Sequence, residues 1–216
     1  EGTRLKPEVL AVTVDGATAV LSLGTFTDSV GTVTLAGGGS ITGPSSITNA
    51  SGTATLGSWT LGAAAGANTL SATVTGLSPV SFTATGTAGA ATAIALNAGN
   101  NQTATVGSAV TTAPSVLVTD VGGNPVAGAS VTFAVTGGGG SVIGGTATTN
   151  ASGIATVGSW TLGTLAGTGN NTVTANTPGV ATTITFTASA QAGAPASVVI
   201  TAGSTQTATV ATTLPV

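Results

Sequence analysis

Carboxylates are the first candidates for chemistry, because the chain contains no histidine and no cysteine and only 3% of its residues are charged. Asp28 and Asp120 would suit a metal ion or acid–base catalysis if they met at one site. They fall in different copies of the repeat described below, and Asp120 opens an Asp-Val-Gly-Gly-Asn-Pro sequence that is typical of a turn. The short segments between copies carry no acid. We therefore expect no catalytic residue, no metal site and no cofactor.

The other patterns that could do chemistry have structural explanations. Serine nucleophiles lack a partner base because histidine is absent, so the sequence predicts that the protein is not an enzyme. The glycine runs Gly37–Gly39 and Gly137–Gly140 are followed by no lysine, which indicates loops or bulges rather than phosphate sites. Four triplets fit the N-glycosylation pattern, beginning at Asn49, Asn101, Asn150 and Asn170. A chain this rich in threonine and serine also produces such triplets by chance.

The charge balance argues against two classes of partner. A net charge of −3 with only two cationic residues disfavours nucleic acid, because phosphate binding needs a basic surface. The sequence has no run of about 20 apolar residues, so it predicts no membrane-spanning helix. A surface with few charges does little to prevent association, which favours packing into an assembly, or a coat of sugar, over a dispersed monomer.

An internal repeat supplies the elements that position all these residues. The stretch Thr149–Gly163 nearly repeats Thr48–Gly62, and each copy holds one of the two tryptophans, Trp59 and Trp160. The tryptophans are about a hundred residues apart, which is the size of one small all-β domain. The spacing therefore predicts a tandem array of β-sandwich domains.

Alternation within each copy indicates which side chains face the core. An Asn-Ala-Ser-Gly turn, starting at Asn49 or Asn150, leads into a row of small and apolar residues spaced by two, three and two. The spacing of three needs one extra residue, which predicts a β-bulge at Gly57-Ser58 and at Gly158-Ser159. The large aromatic side chains of the predicted core are Trp59, Trp160, Phe82, Phe133 and Phe186.

Segments of small residues divide the chain into three parts. We expect residues 1–88 to form a first module with an atypical N-terminal part, residues 89–191 to form a second, and residues 192–216 to begin a further one. The last part carries a near copy of residues 93–106, which return as residues 197–210. The joints are short, so neighbouring modules should be stacked semi-rigidly.

The second copy resembles a known family. Residues 118–133 contain the Asp120 turn and the strand after it, and Thr149–Ala155 follow the glycine run. Together these motifs are similar to the bacterial immunoglobulin-like group 1 domain of invasin and intimin-type adhesins. The resemblance implies an all-β fold of tandem immunoglobulin-like β-sandwiches.

The resemblance covers residues 89–191 well, residues 32–88 in part, and residues 192–216 as an opening strand. Residues 1–31 depart from it, because no Asp-x-x-Gly-Asn-Pro sequence precedes Val33. The edge of the first module is therefore not fixed by the sequence.

This architecture suits an extended, repetitive extracellular structure. The sequence predicts a structural subunit or stalk of a bacterial surface filament or adhesin, located outside the cell or at its surface. Its expected partners are copies of itself or neighbouring repeats. Two alternatives stay open: a fibre or decoration domain of a phage virion, and a module that binds a glycan or a host receptor.

The C-terminal part indicates a means of assembly. Val198, Ile200 and Val210 mark an amphipathic strand, and such a strand must pair with something. The first module has fewer residues before its central strand than the second, so it could lack a strand. Residues 194–216 of one chain could fill that gap in the next chain by strand donation. The alternative is a fragment of a longer array.

Overall fold

The structure is a computed structural model that describes residues 12–15, 18–22, 32–43, 47–50, 52–202, 204–208 and 210–211. Within these residues the chain forms strands and no helix, which confirms the all-β prediction. Two groups of strands surround two separate hydrophobic cores. We call strands β1–β8 the N-terminal unit and strands β9–β18 the C-terminal unit.

The strands of the N-terminal unit are β1 Val12–Asp15, β2 Thr18–Ser22, β3 Thr32–Ala36, β4 Ser40–Thr42, β5 Thr53–Thr55, β6 Ser58–Thr60, β7 Gly66–Thr73 and β8 Val80–Gly86. Those of the C-terminal unit are β9 Ala93–Ala98, β10 Gln102–Thr105, β11 Ser115–Thr119, β12 Ser130–Gly137, β13 Ser141–Ile143, β14 Thr146–Thr148, β15 Ile154–Thr156, β16 Ser159–Thr161, β17 Gly167–Asn176 and β18 Ile184–Gln191.

The C-terminal unit has the strand order of an immunoglobulin-like sandwich. One sheet has the order β15-β11-β9 and the other the order β10-β18-β17-β12-β14, with β13 and β16 forming a small third sheet. In immunoglobulin nomenclature, one sheet contains strands A (β9), B (β11) and E (β15). The other contains strands C (β12), F (β17) and G (β18). This is the division between sheets that defines the immunoglobulin fold. Strand β10 joins the second sheet by pairing in parallel with β18.

Alternate side chains of the two facing sheets fill the C-terminal core. Along β12 the exposure alternates, with Val131 and Phe133 buried and their neighbours exposed. The Phe133 and Phe186 rings lie 6.3 Å apart and tilted by 41°, a common arrangement for packed aromatic pairs. Trp160 is fully buried in the same cluster. This is the alternation that the sequence predicted for the second copy.

The N-terminal unit repeats most of this topology. Its sheets have the orders β1-β2-β5, β3-β7-β8 and β4-β6, which correspond to A-B-E, C-F-G and the small third sheet. Leu70 and Phe82 are buried partners on β7 and β8, and Ala54, Ala72 and Val74 are buried in the same cluster.

Trp59 differs from Trp160 because it is only partly buried against its core. In the C-terminal unit, the segment after β10 covers the tryptophan strand. Val110 N–H donates to the Trp160 carbonyl at 2.9 Å, and Leu162 N–H donates to the Ser108 carbonyl at 3.0 Å. The described residues of the N-terminal unit provide no equivalent segment over β6. The prediction that Trp59 is a core residue therefore holds only in part.

The predicted β-bulges are wrong, because the chain changes sheet at these positions. Strand β15 pairs with β11 in the large sheet, whereas β16 pairs with β13 in the small one. Gly158 N–H donates to the Ile143 carbonyl at 2.9 Å at the changeover, and Gly57 N–H donates to the Thr42 carbonyl at 3.0 Å in the other unit. The extra glycine, Gly158 or Gly57, thus separates two short strands that follow each other in the chain but belong to different sheets.

The glycine runs lie in connections between strands, which agrees with the predicted loops. Gly138 and Gly139 follow β12 with φ angles of 83° and 72°, which favour glycine. A Cβ on Gly140 would overlap the Thr161 carbonyl oxygen, so the absence of a side chain allows the two backbones to approach.

Replacing Trp160 by alanine should lower the free energy of unfolding by about 3–5 kcal/mol, because it removes a fully buried ring. The matched control, Trp59→Ala, should cost less because that ring is only partly buried. Urea denaturation followed by circular dichroism measures both losses. Equal losses, or a larger loss at Trp59, would contradict the two core assignments.

Candidate functional site: the junction between the units

The Asp120 turn lies at the junction between the two units. Asp120 is 7% exposed and follows β11. Its Oδ1 accepts hydrogen bonds from the backbone N–H groups of Gly122 and Asn124, both at 2.9 Å. Its Oδ2 accepts from Gly89 N–H, in the linker after β8, at 2.8 Å. The turn prediction is confirmed, and the same carboxylate also fixes the linker.

The hydrogen bonds around Asp120 stabilise its charged form. They lower the pKa of Asp120 from 3.8 to about 2, first through the Asn124 side chain and then through the backbone N–H groups of Gly89, Asn124 and Gly122. Desolvation acts in the opposite direction and is outweighed. The carboxylate therefore stays ionised over the whole neutral and mildly acidic range.

Asn124 carries the contact across the junction. Its Nδ2 donates to the Asp120 carboxylate oxygens at 3.0 and 3.1 Å. Nδ2 also donates to the Ala63 carbonyl at 2.8 Å, and Oδ1 accepts from Ala65 N–H at 2.8 Å. The amide thus bonds a peptide donor and a peptide acceptor of the N-terminal unit, while Asp120 fixes its orientation. Every hydrogen-bonding group of the amide has a partner.

The segment that Asn124 binds is itself held in place. We call residues 61–65, between β6 and β7, the receiving loop. Asn68, only 1% exposed, accepts a hydrogen bond from Gly62 N–H through Oδ1 at 3.1 Å and donates to the Gly66 carbonyl at 3.2 Å. The buried amide fixes both ends of the loop, so Ala63 and Ala65 face Asn124 from a constrained backbone.

Gly122 lets the turn approach the receiving loop. A Cβ at this position would lie 3.1 Å from the Ala63 carbonyl oxygen and 2.9 Å from Nδ2 of Asn124. Both contacts are closer than a side chain tolerates without displacement of its neighbours. The linker is also tied to β11, since Thr92 N–H donates to the Thr119 carbonyl at 2.9 Å.

The sequence located the Asp120 turn but not its contact with the linker. The joint segments carry no acid of their own, but Asp120, distant in sequence, accepts from Gly89 in the linker. The roles of Asn124 and Asn68 were also missed. An Asp and an Asn four residues apart around two glycines signal the turn, but nothing local in the sequence identifies the loop across the junction.

The remaining predicted site residues lie elsewhere. Asp28 lies outside the described residues. Within the described chain, no three acidic, histidine or cysteine residues cluster where a metal ion could bind. No helix long and apolar enough to span a bilayer occurs in that part of the chain.

The segment predicted as a donor strand forms no strand over its described residues 192–202, 204–208 and 210–211. Its apolar side chains point into solvent, with Val198 97%, Ile200 77% and Val210 91% exposed. Pairing of this segment with another chain stays a prediction.

No protein-family model matches the sequence. No curated protein matches it either. Among solved structures, the D0-D1 domain of intimin aligns with a TM-score of 0.33 and 22% identity over 82% of this chain and 86% of that one. Domains 4–9 of the surface layer protein SbsC align with a TM-score of 0.35 and 15% identity over 89% of this chain and 30% of that one.

A glycosyl hydrolase family 2 member from Bacteroides cellulosilyticus aligns with a TM-score of 0.37 and 18% identity. The alignment covers 79% of this chain but only 22% of that protein. At these scores the fold assignment depends on the strand order and cores described above.

The pH dependence of the junction follows from the lowered pKa of Asp120, which falls from 3.8 to about 2 in the folded chain. A lowered pKa gives stabilisation that is complete above pH 3.8 and is lost as the pH falls through about 2. The carboxyl carbon shift of Asp120 and the amide shift of Gly89 should titrate together by NMR with a midpoint near 2. Asp120→Asn should abolish the amide titration. A midpoint at or above 3.8 would contradict the hydrogen-bonded arrangement.

Proposed function

We propose that this chain is a structural stalk segment of a bacterial surface filament or adhesin, built from immunoglobulin-like modules and acting outside the cell. The observation that carries the proposal is the hydrogen-bonded junction. Asn124 joins the C-terminal unit to Ala63 and Ala65 of the N-terminal unit, and Asp120 holds both Asn124 and the linker. A stalk needs modules that keep their relative orientation, and this network restrains it.

The distribution of polar groups supports a mechanical role over a catalytic one. The buried polar side chains hold the backbone. Asn171, fully buried, accepts from Gly163 N–H at 2.8 Å, just as Asn68 accepts from Gly62 in the other unit. Thr149 Oγ1 donates to the Val126 carbonyl at 2.6 Å and accepts from Ala129 N–H at 2.8 Å. Each of these groups bonds the backbone of a segment between strands.

The C-terminal unit offers the same kind of receiving surface to whatever follows it. Residues 162–166 correspond to the receiving loop. Asn171 Oδ1 accepts from Gly163 N–H as Asn68 Oδ1 does from Gly62, and Asn170 Nδ2 donates to the Leu165 carbonyl at 2.7 Å. Leu165 within this loop is 75% exposed. A further module could dock on this loop, which suits a linear array in which each unit supports the next. In this proposal the segment 192–216 pairs with a neighbouring module.

Surface location can be tested on cells of the organism that encodes the chain. Antibodies raised against the chain should label intact cells in immunogold electron microscopy, and protease added outside the cells should remove the label. Label that appears only after lysis would contradict the proposal. Label confined to phage particles would favour the virion alternative.

A further inference from the structure

The C-terminal unit shows how one strand completes the sheet edge at β18. Strand β10 pairs in parallel with β18, with Gln102 opposite Ala188 and Thr103 opposite Ser189. The ladder continues past the strand, since Val106 N–H donates to the Gln191 carbonyl at 2.9 Å. Ala188, opposite Gln102 on the neighbouring strand, is only 1% exposed. The β18 edge is therefore covered within its own unit.

The corresponding edge in the N-terminal unit is strand β8. Phe82 corresponds to Phe186, because each is buried and pairs with a buried residue on the preceding long strand. Ala84 therefore corresponds to Ala188. Among the described residues, β8 pairs with β7 alone, and Ala84 is partly exposed where Ala188 is buried.

Connection lengths explain the difference between the two edges. Residues 99–114 separate β9 from β11 and contain β10. The equivalent strands β1 and β2 are joined by residues 16–17 alone and pair as an antiparallel hairpin. Two residues are too few to form a strand on the opposite sheet.

The exposed C-terminal segment carries the sequence of the strand that no described residue supplies at the β8 edge. Residues 206–210 read Gln-Thr-Ala-Thr-Val, identical to residues 102–106, which form and extend β10. The preceding residue has the same φ in both places, 55° at Thr205 and 55° at Asn101. A positive φ is uncommon for threonine, so the match extends to one unusual backbone angle next to the shared sequence.

We propose that residues 206–210 of one chain add in parallel to the β8 edge of a second copy of the chain. In the register of β10 on β18, Gln206 lies opposite Ala84, Thr207 opposite Thr85, and Ala208 opposite Gly86. The strand lies beside Ala84 as β10 lies beside Ala188, and it pairs an edge that the described residues leave open. Because the donor segment and the β8 edge are different surfaces of the chain, the contact is heterologous, and repeated without ring closure it builds an open filament. This inference rests on the proposed function and names its partner.

Disulfide trapping tests the register directly, because the natural chain has no cysteine. A chain carrying Thr207→Cys is mixed with a chain carrying Thr85→Cys, each otherwise complete, under mild oxidation. Opposite residues on paired strands are within disulfide reach, so a covalent dimer should form. The matched control Ser81→Cys lies on the same face of β8 but four residues away. We expect the Thr207→Cys chain to cross-link about tenfold faster with the Thr85→Cys chain than with the Ser81→Cys chain.

A second variant separates strand pairing from chance collision. Adding Ala208→Pro to the Thr207→Cys chain should abolish the fast cross-link, because proline cannot extend the ladder. It lies outside both folded units, so circular dichroism of the variant should be unchanged. Equal rates at Thr85 and Ser81, or a rate that proline leaves unchanged, would overturn the inference.

A chain carrying both Thr85→Cys and Thr207→Cys shows whether the segment folds back instead. Closure into a covalent monomer without dimers would also overturn the inference. These outcomes leave the stalk proposal standing, because that proposal is decided by labelling of intact cells.

Discussion

The Asn124 carboxamide is held between a fixed charge and a fixed backbone. On one side, the Asp120 carboxylate accepts from its Nδ2, and charge-assisted hydrogen bonds are stronger than neutral ones. On the other side, the receiving loop offers one carbonyl and one N–H in the orientation that an amide satisfies. Because Asn68 fixes that loop from within its own core, the restraint passes from one hydrophobic core to the other. The two units are thereby joined by side-chain hydrogen bonds as well as by the linker.

Among the described residues, the two units share most of one topology and differ at one sheet edge. Both contain the A-B-E and C-F-G sheets and the small two-stranded sheet between them. They differ at the edge occupied by β10, and the consequences extend into the cores. In the C-terminal unit β10 and the segment after it cover Ala188 and Trp160, which are fully or nearly fully buried. In the N-terminal unit their counterparts Ala84 and Trp59 are partly exposed.

Much of the fold could be predicted from the sequence, because the repeat shows which residues alternate between core and surface. The buried faces of β12 and β17 and the turns at Asn49 and Asn150 follow from local patterns, and the structure has them. The bulge prediction failed for a non-local reason. An extra residue between two alternating runs fits both a bulge and a change of sheet, and only the pairing partners of β15 and β16 distinguish them.

The junction was harder to predict than the fold. Asp120 and Asn124 are recognisable as turn residues, whereas their contacts with Gly89, Ala63 and Ala65 depend on how two units meet. Alanine backbone groups carry no sequence signature of their own. The reduced burial of Trp59 likewise depends on a segment that its own unit's described residues lack, and the repeat itself gave no sign of that difference.

The central claim is that the junction holds both units in one orientation, and residual dipolar couplings test it most directly. Backbone N–H couplings measured for the two units of the same aligned sample should fit one common alignment tensor. In the Asn124→Ala variant, the couplings of the two units should require two alignment tensors of different magnitude, while each unit stays folded. Two different tensors in the natural chain would mean that the units reorient independently, and would contradict the account of a supported stalk.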